Sequence, residues 1–270
     1  MPTPSSCSIA ILTSHDPANF ALINALQETY PIKLIVFESQ AYGRFKRLWR
    51  RLRKLGFTTV LDQMAFKVLD LLLFRRQAKL RAEELLGREI IFQGANFPHT
   101  LVKKTASINS SEVASILRAT EPDVVVVSGT SILDGKLLAS LGSTPVINIH
   151  CGITPRYRGA HGAFWAVVKG DWTNVGTTVH FVDSGIDTGG IILQASIDLE
   201  PDDNPRTIGL KQYAVGIRLL SEAISRTCAG DRNTTQRDDL DSRVYSSPTF
   251  TGYLRFRKRM KERFSGRHSS

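Results

Sequence analysis

Four consecutive valines, Val124 to Val127 in the run PDVVVVSG, restrict the fold of this chain more than any other stretch. β-branched side chains favour extended backbone, and a strand that is apolar at every position has to be covered on both faces. Sheets covered in that way are largely parallel, with helices above and below. The surrounding sequence supplies the material. SIAILTS and IKLIVFE read as further strands, and between them Asp16 and Pro17 make a cap and first turn for a helix carrying Leu22, Ile23 and Leu26. REIIF, at 88–92, reads as another strand. The connection after it ends at Asn109, which with Glu112 three residues on reads as the cap of a helix carrying Val113, Ile116 and Leu117. A helix from about Leu133 to Leu141 leads into PVINIH. Beyond it, VGTTVHFVD and IILQASIDLE read as antiparallel strands around the glycine-rich loop SGIDTGG, closed by a helix from about Thr207 to Thr227. The expected fold is α/β: an open, mostly parallel Rossmann-like sheet with antiparallel C-terminal strands and an added helical segment.

Composition bounds the setting. Of the residues, 42% are hydrophobic and 22% charged, as in ordinary globular chains. The first residues, MPTPSSCSIAILTSHD, lack the positively charged start of a secretory signal, and no apolar run approaches the roughly 18 residues of a membrane span. Cys7, Cys151 and Cys228 show no metal-ligand or redox spacing, so a reducing cytoplasm is the expected location. The net charge is +10, and much of it is clustered. RFKRLWRRLRK, residues 44–54, contains no acid and sets Phe45, Leu48, Trp49 and Leu52 at helical spacing. Such a basic amphipathic helix is most simply a solvated or docking face; it could also hold the protein at the inner, anionic surface of a membrane, or cover a bound acceptor. YLRFRKRMKERFSGR repeats the pattern near the C-terminus, with Phe250, Leu254 and Phe264 as packing residues. The division expected is one domain over 1–230, with 43–88 as a helical basic insertion, and a basic tail with a helix over 231–270.

NIHCGITPRYRG, residues 148–159, carries the chemistry. Alternate residues of a strand share a face, so Asn148 and His150 project together while Ile147 and Ile149 point the other way. A carboxamide can hydrogen-bond a developing oxyanion, and an imidazole can move a proton near neutral pH. Asn-x-His is a weak signal by itself. An orienting carboxylate is available in the glycine-rich loop, as Asp183 or Asp187, although either could be a turn residue. Cys151 faces away from His150 and is not expected to be a nucleophile, His180 reads as structural, and His161 as loop packing or substrate contact.

Taken together, PDVVVVSG, VINIH, TPRYRGAHGAFWAVVKGDWTNVGTTVHFVD and SGIDTGGIILQ resemble the core of the folate-dependent formyltransferases over about residues 121–200. That family includes glycinamide ribonucleotide, methionyl-tRNA and nucleotide-sugar N-formyltransferases. The resemblance implies the formyltransferase fold and transfer of a formyl group from 10-formyltetrahydrofolate to a primary amine, with Asn148, His150 and Asp187 as the catalytic set and no metal. It also implies that the folate lies against Ser128, Gly129, Thr130, Ile132 and Leu133 on one side and Ser184, Gly185 and Ile186 on the other. Arg156, Arg158 and His161 are the candidates for binding the acceptor. His150-Cys151-Gly152-Ile153-Thr154-Pro155 departs from the family's usual His-Pro-Ser-Leu-Leu-Pro, and LTSHDPANF lacks the phosphate loop of the purine-pathway members. About 40 residues after Gly230 are too few for the tRNA-binding barrel of methionyl-tRNA formyltransferases, which argues against tRNA as partner. An amino group on a nucleotide-linked sugar or other small phosphorylated amine is the acceptor expected. The alternatives are a methionyl-tRNA formyltransferase-like activity, hydrolysis of formyltetrahydrofolate, or a non-catalytic RNA- or membrane-binding protein on the same scaffold.

Overall fold

The computed structural model describes residues 7–39, 44–86 and 100–265. Its centre is β4 (Val124–Ser128), and all four valines are buried. Val124 and Val126 pack on one side with α1 (Pro17–Gln27) and α8 (Pro205–Cys228), against Leu22, Ile23 and Leu220. Val125 and Val127 pack on the other with α5 (Ser111–Thr120) and α6 (Gly135–Ser140), against Val113, Leu117 and Leu137. Covering a strand on both faces thus sets the layers of the molecule.

Around β4 lie β1 (Ile9–Ser14), β2 (Ile32–Glu38), β3 (Leu101–Thr105), β5 (Val146–His150), β7 (Gly176–Phe181) and β8 (Ile191–Ser196), in the order β3-β2-β1-β4-β5-β7-β8. The first five in that order are parallel; β7 runs antiparallel to β5, and β8 antiparallel to β7. Helix starts follow local chemistry. Asp16 accepts from Ala18 N at 3.0 Å to begin α1, and Asn204 and Thr207 cap α8 reciprocally.

A third layer lies beyond the sheet. α2 (Arg44–Leu55), α3 (Phe57–Leu73) and α4 (Arg75–Leu86) form the expected helical stretch, and α7 (Gly162–Lys169) and α9 (Phe250–Ser265) pack with them. Phe66, Phe74, Phe164, Tyr253 and Phe256 form its core. The segment after Gly230 is stitched into this body: Thr235 bridges Ile191, β9 (Val244–Tyr245) pairs with β6 (Arg158–Gly159), and α9 rests on α7 and α3.

Several expectations change. REIIF lies outside the described residues, and β3 occupies what reads in sequence as a connection; half exposed at the sheet edge and carrying Lys103 and Lys104, it has no apolar alternation to betray it. Ser110, not Asn109, caps α5, because its hydroxyl accepts from Val113 N at 3.3 Å. Asn109 instead donates to the Ile132 carbonyl and accepts from Asp134 N. Leu254 is exposed, while Tyr253, Phe256 and Met260 turn inward. Cys7 and Cys228 form a disulfide with Cα atoms 6.0 Å apart, leaving Cys151 free. A pairing across 221 residues leaves no mark in cysteine spacing, and the spacing argument for a reducing compartment loses its support. Among the described residues no helix is long and apolar enough to cross a membrane.

Phe256 is almost fully buried and stacks on Phe164 at 5.4 Å. Phe256→Ala is expected to lower unfolding free energy by about 3–5 kcal/mol, measured by urea denaturation. A cost under about 1 kcal/mol would mean that α9 is not part of the cooperative core.

Candidate active site

The chain runs from β1 outward through β2 to β3, then returns to the other side of β1 for β4 and β5. Open parallel sheets hold ligands where the order reverses, beyond the carboxyl ends of the strands. A cleft of about 460 Å³ opens there, bounded by loop 129–133, the end of β5, loop 183–187 and Tyr245.

Asn148 and His150 share the cleft side of β5, and Ile147 and Ile149 face the core with α8. Asp187, in the left-handed region with φ 49°, brings its carboxylate between them. Its Oδ2 lies 3.4 Å from His150 Nδ1 and accepts from Gly159 N at 2.8 Å; its Oδ1 is 3.5 Å from Asn148 Nδ2. Burial works against the charge on Asp187, but the polar groups around it, the Gly159 N–H among them, outweigh it and hold the carboxyl at about 2. Asp183 serves its own loop, accepting from Gly185 N and Thr188 Oγ1.

His150 is buried, and its Nε2 lies 2.7 Å from the Tyr157 carbonyl. A carbonyl only accepts, so Nε2 carries the proton and Nδ1 presents its lone pair toward Asp187. Burial pushes the imidazole below its ordinary value, with Asp187 and the Tyr157 carbonyl opposing. The departure at Gly152 has a steric reason: a Cβ there would stand 2.4 Å from the Tyr157 carbonyl oxygen and 2.6 Å from His150 Nε2. Burial leaves Cys151 little thiolate. Although part of it faces the cleft, desolvation and the Asp187 charge push its thiol up to about 12.

His180 is corrected from structural to site residue. It stands opposite Asn148 in the β5–β7 register, a relation that sequence separation hides. Its Nδ1–H donates to the Phe181 carbonyl at 2.7 Å, so Nε2 accepts from Asn148 Nδ2 at 3.1 Å and fixes the carboxamide. The second Asn148 N–H has only the distant Asp187 oxygen, and an oxygen in the cleft can compete for it.

Loop 129–133 is held from below. Glu38, at the end of β2, accepts from Ser131 N at 2.7 Å and Ile108 N at 2.9 Å, a role that a strand-ending glutamate does not announce. Ser128 hydrogen-bonds Asn19 and Tyr213, so its side chain supports the loop from the core. Gly129, Thr130, Ile132 and Leu133 line the cleft, as do Gly185 and Ile186; Ser184 is exposed outside the lining.

The three acceptor candidates are not brought together. Arg156 is held between Asp171 and Asp241, at 3.1 and 2.7 Å, and does not line the cleft. Arg158 donates to the Ile186 carbonyl, which ties β6 to loop 183–187. His161 is exposed ahead of α7 and absent from the lining. Val244 and Tyr245, from the segment expected to be a tail, do line it. Among the described residues no cluster of His, Cys, Asp and Glu could hold a metal.

A neutral imidazole beside a partly buried carboxylate, next to a fixed carboxamide, is suited to moving a proton while steadying an oxyanion. A methionyl-tRNA formyltransferase of Anaeromyxobacter dehalogenans is 36% identical over 129 residues, which are 48% of this chain and 41% of that relative. The chain thus spans less than half the length of the curated relatives it matches. In fold it is similar to glycinamide ribonucleotide transformylase 1 from Symbiobacterium toebii (TM-score 0.55, 20% identity, 83% of this chain and 88% of that one). It is also similar to a sugar N-formyltransferase from a Shewanella species (TM-score 0.54, 11% identity, 88% and 76% covered). The family model described as formyl transferase matches residues 71–224, more than half of the chain, and takes in β4, β5, β7 and loop 183–187, so this protein belongs to the formyl transferase family.

Proposed function

We propose that this protein transfers a formyl group from 10-formyltetrahydrofolate to a primary amine. The reading rests on one observation above the rest: Asn148, His150 and Asp187 converge at the end of β5, in a member of this family. The cleft fits the donor. Its volume suits the flat head of a folate, and Ile132 lies exposed on a loop whose backbone Glu38 and Asn109 hold in place. When bound, the donor supplies a formyl carbon on N10 as the electrophile and that nitrogen as the leaving group.

The residues then divide the work. Asn148 offers its N–H to the formyl oxygen as that oxygen gains charge, and His180 keeps the carboxamide from turning. His150 Nδ1 takes the proton of the attacking amine, and Asp187 at 3.4 Å stabilises the imidazolium. The bond from the amine nitrogen to the formyl carbon forms, the bond to N10 breaks, and the proton passes from His150 to N10. Buried Tyr157 anchors His150 through its carbonyl and donates its hydroxyl to Asp171 at 2.8 Å.

For the acceptor, an amino sugar carried on a nucleotide is the first reading, supported by the likeness in fold to a sugar N-formyltransferase. A second reading, the amino group of an aminoacyl-tRNA, draws on the activity named for the 36% identical relative and on the chain's net charge of +10. It reopens the partner that the length of the segment after Gly230 argued against.

The deciding experiment is single-turnover formation of tetrahydrofolate from 10-formyltetrahydrofolate with amino-sugar nucleotides and with methionyl-tRNA. Acceptor-dependent turnover is expected, falling about 10²–10⁴-fold in His150→Ala and Asp187→Asn. Turnover without any amine would identify a hydrolase, and no turnover with no folate binding would sink the enzyme reading. Glu38→Gln is expected to raise KM for the folate with kcat little changed, because it loosens the loop and leaves the reacting groups in place. A fall in kcat alone would refute that assignment.

Burial keeps His150 neutral below its ordinary 6.5, so an unfolded chain takes up a proton there before the folded one does. Stability therefore falls as pH drops through and below 6.5, and Asp187 adds a further loss between 3.8 and about 2. Urea midpoints between pH 7 and pH 5 are expected to fall less in His150→Gln than in wild type; equal slopes would contradict the burial argument.

A further inference from the structure

α3 buries one face and presents a second apolar face to solvent. Gln63, Phe66 and, just past its end, Phe74 turn inward. On the opposite side Phe57, Leu61, Met64, Val68, Leu71 and Leu72 are each between 47 and 77% exposed. At 100° per residue these six fall within one stripe about 100° wide and about 22 Å long. Single exposed apolar residues are ordinary, whereas a continuous row marks a surface that is covered in use. Trp49 on α2 and Leu80 on α4 are exposed on the neighbouring helices.

Charge says what covers it. Residues 44–79 hold eleven Lys and Arg against Asp62 and Asp70, a net +9 out of the chain's +10. Both acids are engaged: Asp62 accepts from Thr251 N at 3.2 Å, and Asp70 pairs with Arg206 at 2.7 Å. Arg53, Lys54, Lys67, Arg75 and Arg76 are exposed. We propose that α2 and α3 form a docking surface for an anionic lipid bilayer, with the α3 row at the boundary of the acyl chains and the cations at the headgroup phosphates. A second copy of this chain would set two such basic faces against each other. Nucleic acid would satisfy the cations and leave the apolar row in water. An anionic bilayer takes both.

The helix that carries the row is also tied, by its opposite face, to the segment beside the cleft wall. Gln63, on the buried side of α3, donates to Ser246 Oγ at 3.1 Å and to the Ser247 carbonyl at 3.0 Å, next to Tyr245. The inference does not depend on the formyl-transfer reading.

The test is co-sedimentation of the full chain with vesicles of phosphatidylcholine alone and of phosphatidylcholine with an equal part of phosphatidylglycerol. Binding is expected to the mixed vesicles, to weaken with salt, and to fall about ten-fold in the triple variant Leu61→Gln/Val68→Gln/Leu72→Gln, with its urea midpoint unchanged. Should that variant unfold, Arg53→Glu/Lys54→Glu/Arg75→Glu, expected to weaken binding by a similar factor, decides in its place. Equal binding to both vesicle types, or binding untouched by the variants, would overturn the proposal. So would a dimer in sedimentation equilibrium that the triple variant abolishes while wild type ignores vesicles: the face would then be covered by a second copy.

Discussion

Covering β4 on both faces is the constraint from which the rest of this structure follows. Val124 and Val126 require α1 and α8 on one side, and Val125 and Val127 require α5 and α6 on the other. With both faces occupied by crossover helices, the strands beside β4 have to run parallel to it, and the chain has to leave β1 in one direction and come back in the other. The gap at that reversal is where a ligand can enter. Burying four apolar side chains thus leads by geometry to a cleft at the end of β5.

Within the cleft, one buried anion organises its surroundings. Asp187 touches Gly159 of the loop after β5, His150 of β5 and, at 3.6 Å, His180 of β7. A carboxylate removed from water is costly without donors, and the N–H of Gly159 at 2.8 Å with the more distant Asn148 amide supplies them, which fixes loop 183–187 to the loop after β5. The left-handed backbone at Asp187 and the absence of a side chain at Gly152 are local costs that this arrangement tolerates. Burial keeps His150 neutral at rest, and the Asp187 contact favours it once protonated.

Local chemistry made some of this legible from the residues alone. Alternation along a strand put Asn148 and His150 on one face, and runs of valine and isoleucine located the central strands. Asp16-Pro17 marked the start of α1. What stayed hidden depends on neighbours in space. His180 reaches Asn148 only through β-pairing across 32 residues, and Glu38 acts on a loop 93 residues away. β3 is an edge strand whose exposed lysines erase the apolar rhythm, and the Cys7–Cys228 bond closes a span with no local trace. Arg156 and Arg158, close after β5 in sequence, satisfy carboxylates and a carbonyl instead of the cleft.

The pairing of β6 with β9 bears on the order in which the protein becomes competent. β6 belongs to the loop after β5, whereas β9, which brings Val244 and Tyr245 to the cleft, lies close to the last described residues. During synthesis the central sheet and its helices can assemble while β9 is still inside the ribosome. Asn148, His150 and Asp187 are then in place before the wall beside them exists. Closure of the cleft waits until β9 has emerged, so a chain cut short ahead of it would hold Asn148, His150 and Asp187 without the wall that encloses them.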